Sequence, residues 1–60
     1  MSTAEVGAVF VECAQTLRDA AAGLRGINDA IAVPIAIVHA EKCEAMAARM
    51  DRLGDLFSAG

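Results

Sequence analysis

Val6, Phe10, Cys13, Leu17, Ala20 and Leu24 recur at alternating intervals of four and three residues, and His39, Cys43, Met46, Met50, Leu53 and Phe57 do so again further along the chain. A column spaced this way runs down one side of a helix, whereas a half-buried strand would show strict alternation. Beside the first column, Gly7, Ala14 and Ala21 fall one heptad apart, and Ala40, Ala47 and Gly54 flank the second. Such small residues let another helix come close. Glu5, Glu12 and Asp19, also at heptad spacing, belong on the side facing water. Two amphipathic segments joined by a short connection form an antiparallel hairpin.

The boundaries are written in local chemistry. Ser2-Thr3-Ala4-Glu5 matches the capping box, in which a hydroxyl and a carboxylate satisfy backbone N–H groups left over at a helix start. Gly23 and Gly26 bracket a natural end, and Asn28 or Asp29 can cap the next helix. These signals predict a helix over about residues 3–24, a connector over about 25–33 and a helix over about 34–58, all within one domain spanning residues 1–60. The fold class expected is all-α, an antiparallel two-helix hairpin with a proline-kinked or split second helix.

Between the two columns lies IAVPIAIV, residues 31–38, a run without a polar side chain. A helix starting at Asp29 would carry Pro34 inside its first turns, where the ring presses on the Ala30 carbonyl and bends the helix. A helix starting at Pro34 would put the ring in a favourable place and leave the preceding residues as a connector. Ile31, Val33, Ile35 and Ile37 also alternate, so an edge strand pairing with another chain is a further reading. In any helix containing them, Ile31, Ile35, Ile37 and Val38 point in different directions, and two helices cannot cover them all. With only 60 residues the chain also has little surface to bury alone. The hairpin is therefore expected to be completed as a helical bundle, by self-association or by a partner.

Charge and composition exclude several roles. The net charge is −3, with five basic residues scattered among eight acidic ones and no Trp or Tyr. Nucleic-acid binding calls for clustered Lys and Arg with stacking aromatics, so no nucleic-acid partner is expected. The first residues lack a positive region before their apolar stretch, unlike a secretory signal. The uncharged run from Ala30 to Ala40 is shorter than the roughly 20 residues that span a bilayer. A cytoplasmic protein without membrane contact is the expectation, with its two cysteines as thiols.

Few residues can carry chemistry. His39 and Cys43 stand one helical turn apart, a possible ligand spacing. If the turn is centred near Ile27 to Asp29, facing residue numbers add to roughly 55 to 57, which would set Cys13 opposite residues 42–44. Cys13, His39 and Cys43 could then converge as three ligands of a metal- or redox-responsive switch, or the two thiols could join as a disulfide. The plainer reading is buried thiols and a histidine at the rim, with no metal and no cofactor. Glu41, Glu44, Asp51 and Asp55 form an acidic face left to solvent, where nothing would raise a carboxyl pKa for acid–base work. No Gly-rich loop or nucleophile with a base is evident, and no enzyme is expected. Lys42, Arg49 and Arg52 form a basic edge that either solvates the helix or pairs with acids such as Glu5 and Glu12 on a neighbouring one.

The function expected from these features is that of a noncatalytic small helical interaction protein, a subunit, adaptor or assembly factor of a larger protein complex. Its contacts would be Phe10, Leu17, Leu24, Met46, Met50, Leu53 and Phe57 from the two columns and Ile31, Ile35, Ile37 and Val38 from the elbow. The partner would be itself, as a dimer or higher oligomer, or a larger protein.

Overall fold

The computed structural model describes residues 1–59, which form two helices packed against each other, α1 (Thr3–Arg25) and α2 (Val33–Ala59). No strand occurs among the described residues, so the edge-strand reading of residues 31–37 is not what the chain adopts. The pair is a rod of 46 × 13 × 11 Å with a Cα radius of gyration of 14.0 Å. A compact globule of this length would have a radius of about 10 Å. The elongation leaves each helix with one neighbour and most of its circumference uncovered.

Local signals set the helix ends. Ser2 has extended backbone geometry and its Oγ accepts the Glu5 N–H at 3.2 Å, closing the front of α1. The Ser2 hydroxyl also donates to Glu5 Oε1 at 3.3 Å, so the Glu5 carboxylate engages the cap side chain. At the other end the Gly26 N–H reaches the Ala22 and Gly23 carbonyls, and Gly26 itself stays right-handed. Asp29 then restarts the chain. Its Oδ1 accepts the N–H groups of Ile31 and Ala32 at 2.9 and 3.1 Å, and its carbonyl accepts those of Ala32 and Val33. Residues 30–32 are a turn, and the regular helix begins at Val33 with Pro34 as its second residue. The missing proline N–H belongs to the first turn of α2, where backbone N–H groups lack helical partners in any case.

The two helices meet through their smallest residues. Ala14, Ala40 and Ala47 are completely buried, Ala21 and Ala36 nearly so, and Gly7 and Gly54 complete the buried set. Among the described residues no large side chain is fully buried. The small residues beside each bulky column are therefore the line along which the helices meet. Side chains of Leu or Met size would hold two helix axes near the wide end of the 8–10 Å range, whereas Ala and Gly admit the close end. The small columns become the seam, and the bulky ones are left straddling one side of it.

The register is corrected as well. Gly7 faces Gly54, because a Cβ built on either would lie 3.1 to 3.2 Å from the carbonyl oxygen of the other. A turn centred at Ile27 to Asp29 would have set Gly7 against residue 49, about five positions earlier than Gly54. The reason is the length of the connection: Asp29 spends another turn of chain, residues 30–32, before α2 straightens. The heptad step from Gly7 and Gly54 brings Ala14 level with Ala47 and Ala21 level with Ala40.

Candidate interaction surface

The seam sorts the rest of the surface into lanes. Three residues after each small seam residue of α1 stands Phe10, Leu17 or Leu24, and three after those of α2 stands Cys43, Met50 or Phe57. Because the helices are antiparallel, an equal step along each leads to the same side of the hairpin. The Phe10 and Phe57 rings confirm it, stacking with centroids 5.5 Å apart and planes inclined by 22°. Further along, Val9, Glu12, Cys13, Thr16, Leu17 and Met50 line an open groove of about 490 Å³ on this side.

The opposite side is polar for an equally simple reason. Four residues after Ala14 and Ala21 stand Arg18 and Arg25, and four after Ala40 and Ala47 stand Glu44 and Asp51. Arg18 pairs with Asp51. Arg25 grips Glu44 with two bonds, Nη2 to Oε1 at 2.6 Å and Nε to Oε2 at 2.9 Å. The fork geometry suits a carboxylate. The hydrogen bond from Arg25 holds the Glu44 carboxyl below its ordinary pKa, and the same contact raises that of Arg25. Arg18 is raised by its bond to Asp51. Glu44 and Asp51 are thus not simply solvated acids. Sequence reasoning missed both pairs because it left the acidic face to solvent, and the signal was the step of four from each alanine.

The residues expected to make contacts fall into two groups. Phe10, Leu17, Leu24, Met50 and Leu53 are half-buried, while Met46 and Phe57 are exposed by 39% and 36%. At the elbow Ile31 is 85% exposed, Ile35 63%, Val38 50% and Ile37 38%. Ile27 is exposed beside them. The hairpin leaves all of these elbow side chains exposed in part, and Ile31 almost wholly.

Cys13, His39 and Cys43 are not brought together. The register that sets Gly7 on Gly54 carries Cys13 to the level of Met50, with which it shares the groove. Both cysteines are free thiols, Cys13 exposed and Cys43 half-buried, and His39 is exposed. Among the described residues no three His, Cys, Asp or Glu side chains are grouped so as to hold a metal ion. No described helix is long and apolar enough to cross a membrane. No protein-family model matches the chain, and comparison with curated proteins and with solved structures finds no match.

Proposed function

We propose that the chain is a noncatalytic helical interaction protein, a subunit, adaptor or assembly factor of a larger protein complex. Its apolar side and its elbow are the contacts, and docking completes the hairpin into a helical bundle. The observation that carries this reading is the mismatch between what the seam buries and what the chain owns. Among the described residues only Ala and Gly are buried, while a lane of Phe, Leu and Met is only half-covered and a cluster of Ile and Val is exposed. Contiguous apolar surface of this kind marks protein–protein contact sites. In this reading the second helix is split at Pro34, with the turn at residues 30–32 set off from the regular helix, and the exposed 31–38 elbow is where a partner docks.

The test is the solution mass by light scattering over a dilution series, with helicity followed in parallel, for the native chain, Leu17→Glu and Ile35→Glu. A charge within the lane or the elbow should abolish or weaken association, with itself or with a co-purifying protein, while helicity at high concentration is retained. Variants that keep the same mass, partners and stability as the native chain would remove both surfaces from the interface.

A further inference from the structure

Each helix has an outer back, the surface turned away from the other helix. Two residues forward or backward along a helix is a turn of about 200°, so the positions two before and two after each seam residue form that back. On α1, two before Gly7, Ala14 and Ala21 stand Glu5, Glu12 and Asp19, and two after stand Val9, Thr16 and Gly23. On α2, two before Ala40, Ala47 and Gly54 stand Val38, Ala45 and Arg52, and two after stand Lys42, Arg49 and Leu56. All twelve are exposed. Every charge on the back of α1 is therefore negative, and every charge on the back of α2 is positive.

Neither set is neutralised inside the hairpin. The ion pairs among the described residues are Arg18–Asp51 and Arg25–Glu44, and none of these six back charges enters either. Glu5 engages the Ser2 hydroxyl, and Asp19 accepts from the Gln15 amide at 3.0 Å. Asp55 shares a hollow with Arg52, so Lys42 and Arg49 are the bases left freest for a partner. Back-to-back contact of α1 with α1, or of α2 with α2, would set like charges together. Contact of α2 with α1 of another copy sets base against acid.

The register agrees. Ala14 is level with Ala47 and Ala21 with Ala40, so in antiparallel helices Glu12 is level with Arg49 and Asp19 with Lys42, on opposite outer faces of one rod. A copy moved sideways, without sliding along the rod, keeps these heights. Arg49 then meets Glu12 of the next copy and Lys42 meets its Asp19. Between these two levels Ala45 meets Thr16, where small side chains let the helices approach.

We infer that the back of α2 docks on the back of α1 of a second copy, head to tail, with Arg49 on Glu12 and Lys42 on Asp19. Such a contact uses different surfaces on its two members, so each copy keeps one back free and the assembly adds further copies until it closes into a ring or continues as a row. The inference goes beyond the lane as a contact surface and does not depend on it. The sideways step leaves every apolar lane on one face of the row and every 31–38 elbow along one edge.

Two one-sided variants test this by light scattering across dilution, at low and at molar salt: Glu12→Lys/Asp19→Lys and Lys42→Glu/Arg49→Glu. All four positions are exposed, and helicity reports whether the hairpin is intact. The native chain should grow with concentration at low salt and lose that growth at molar salt, where charges are screened beyond about 3 Å. Each variant should lose the salt-sensitive growth, its contact weakened about tenfold or more. An equimolar mixture of the two should regain one contact and stop there, with twice the mass of either alone. The fourfold variant, which has the native net charge with its backs exchanged, should grow again. A native mass indifferent to salt, a mixture that stays at the mass of its components, or a fourfold variant that does not recover would each overturn the inference. Association that survives molar salt would belong to the lane instead. A second readout uses Glu12→Cys with Arg49→Cys in a Cys13→Ala/Cys43→Ala background. The two positions lie on opposite outer faces of one hairpin and cannot join within it, so oxidation should give a ladder of covalent oligomers. Equal crosslinking by Glu12→Cys alone, or no ladder, counts against the head-to-tail contact.

Discussion

Gly7 and Gly54 stand so close across the hairpin that a Cβ on either would come within 3.2 Å of the other's carbonyl oxygen, and one on Gly7 would also lie 2.8 Å from Ser58 Oγ. The helices therefore touch backbone to backbone at this end. Gly23, by contrast, has nothing within 4 Å of where its Cβ would be. The same residue type thus has opposite consequences at the two places. Gly54→Leu should lower stability by about 2 kcal/mol, because an added side chain forces the helices apart. Gly23→Ala should raise stability by about 0.5–1 kcal/mol through helix propensity alone. Denaturant unfolding of both variants and the native chain at one fixed protein concentration checks the pair of signs.

Ala14 and Leu17 separate the internal seam from the external lane. Ala14 is wholly buried between the helices, and Leu17 is half-buried beside the groove. Ala14→Leu overfills the seam and should cost the hairpin about 1–3 kcal/mol at any concentration. Leu17→Ala removes surface that the second helix only partly covers. Its cost should grow with protein concentration, up to about 2 kcal/mol where the bundle is assembled, and should shrink on dilution. Unfolding curves at two concentrations a hundredfold apart distinguish the two behaviours. Equal, concentration-independent losses would mean that Leu17 belongs to the hairpin's own core.

How much of this was legible in the sequence depends on how local the deciding physics is. Both helices, the Ser2 cap and the Asp29 cap could be read directly, since capping and seven-residue spacing need no knowledge of the rest of the chain. The small columns were visible too, as lines along which another helix could come close. Which column lies between two helices is decided by how closely their axes can approach, and Ala14, Ala47, Gly7 and Gly54 allow a separation that Leu17 and Met50 do not. Register was harder still. One extra turn at residues 30–32 moved Cys13 from the level of Cys43 to that of Met50, and with it dissolved the three-residue cluster. The Arg25–Glu44 clasp depended on the same two facts and could not be found without them.

Asp29 controls that extra turn. Its carboxylate takes the N–H groups of Ile31 and Ala32, and nothing else in the connector offers them a side-chain acceptor among the bonds of the described residues. Pro34 cannot contribute an N–H of its own to the first turn of α2. Asp29→Ala should therefore cost about 1 kcal/mol, the usual value of such a cap. The loss should be local. Amide hydrogen exchange is expected to quicken at Ile31, Ala32 and Val33 while the centre of α1 stays protected; uniform acceleration along both helices would show that the cap supports the whole fold.

Glu44 gives the hairpin a pH dependence whose sign is determined by Arg25. The bidentate contact favours the carboxylate, so Glu44 in the folded chain holds its charge to a lower pH than in the unfolded chain, where the ordinary value of 4.5 applies. Between those two values the unfolded chain binds the extra proton, and stability rises with pH. The contribution is present above about pH 4.5 and is lost as pH falls through the lower, folded value. The pair is nearly half exposed, so the effect is small and salt weakens it. Glu44→Gln should lower the melting temperature slightly at pH 7 and low salt, and the difference from the native chain should vanish as pH drops below the folded value. Melting curves from pH 7 down to pH 3, at low and at molar salt, check the sign: a gap that widens on acidification would show that Arg25 is not what stabilises the Glu44 charge.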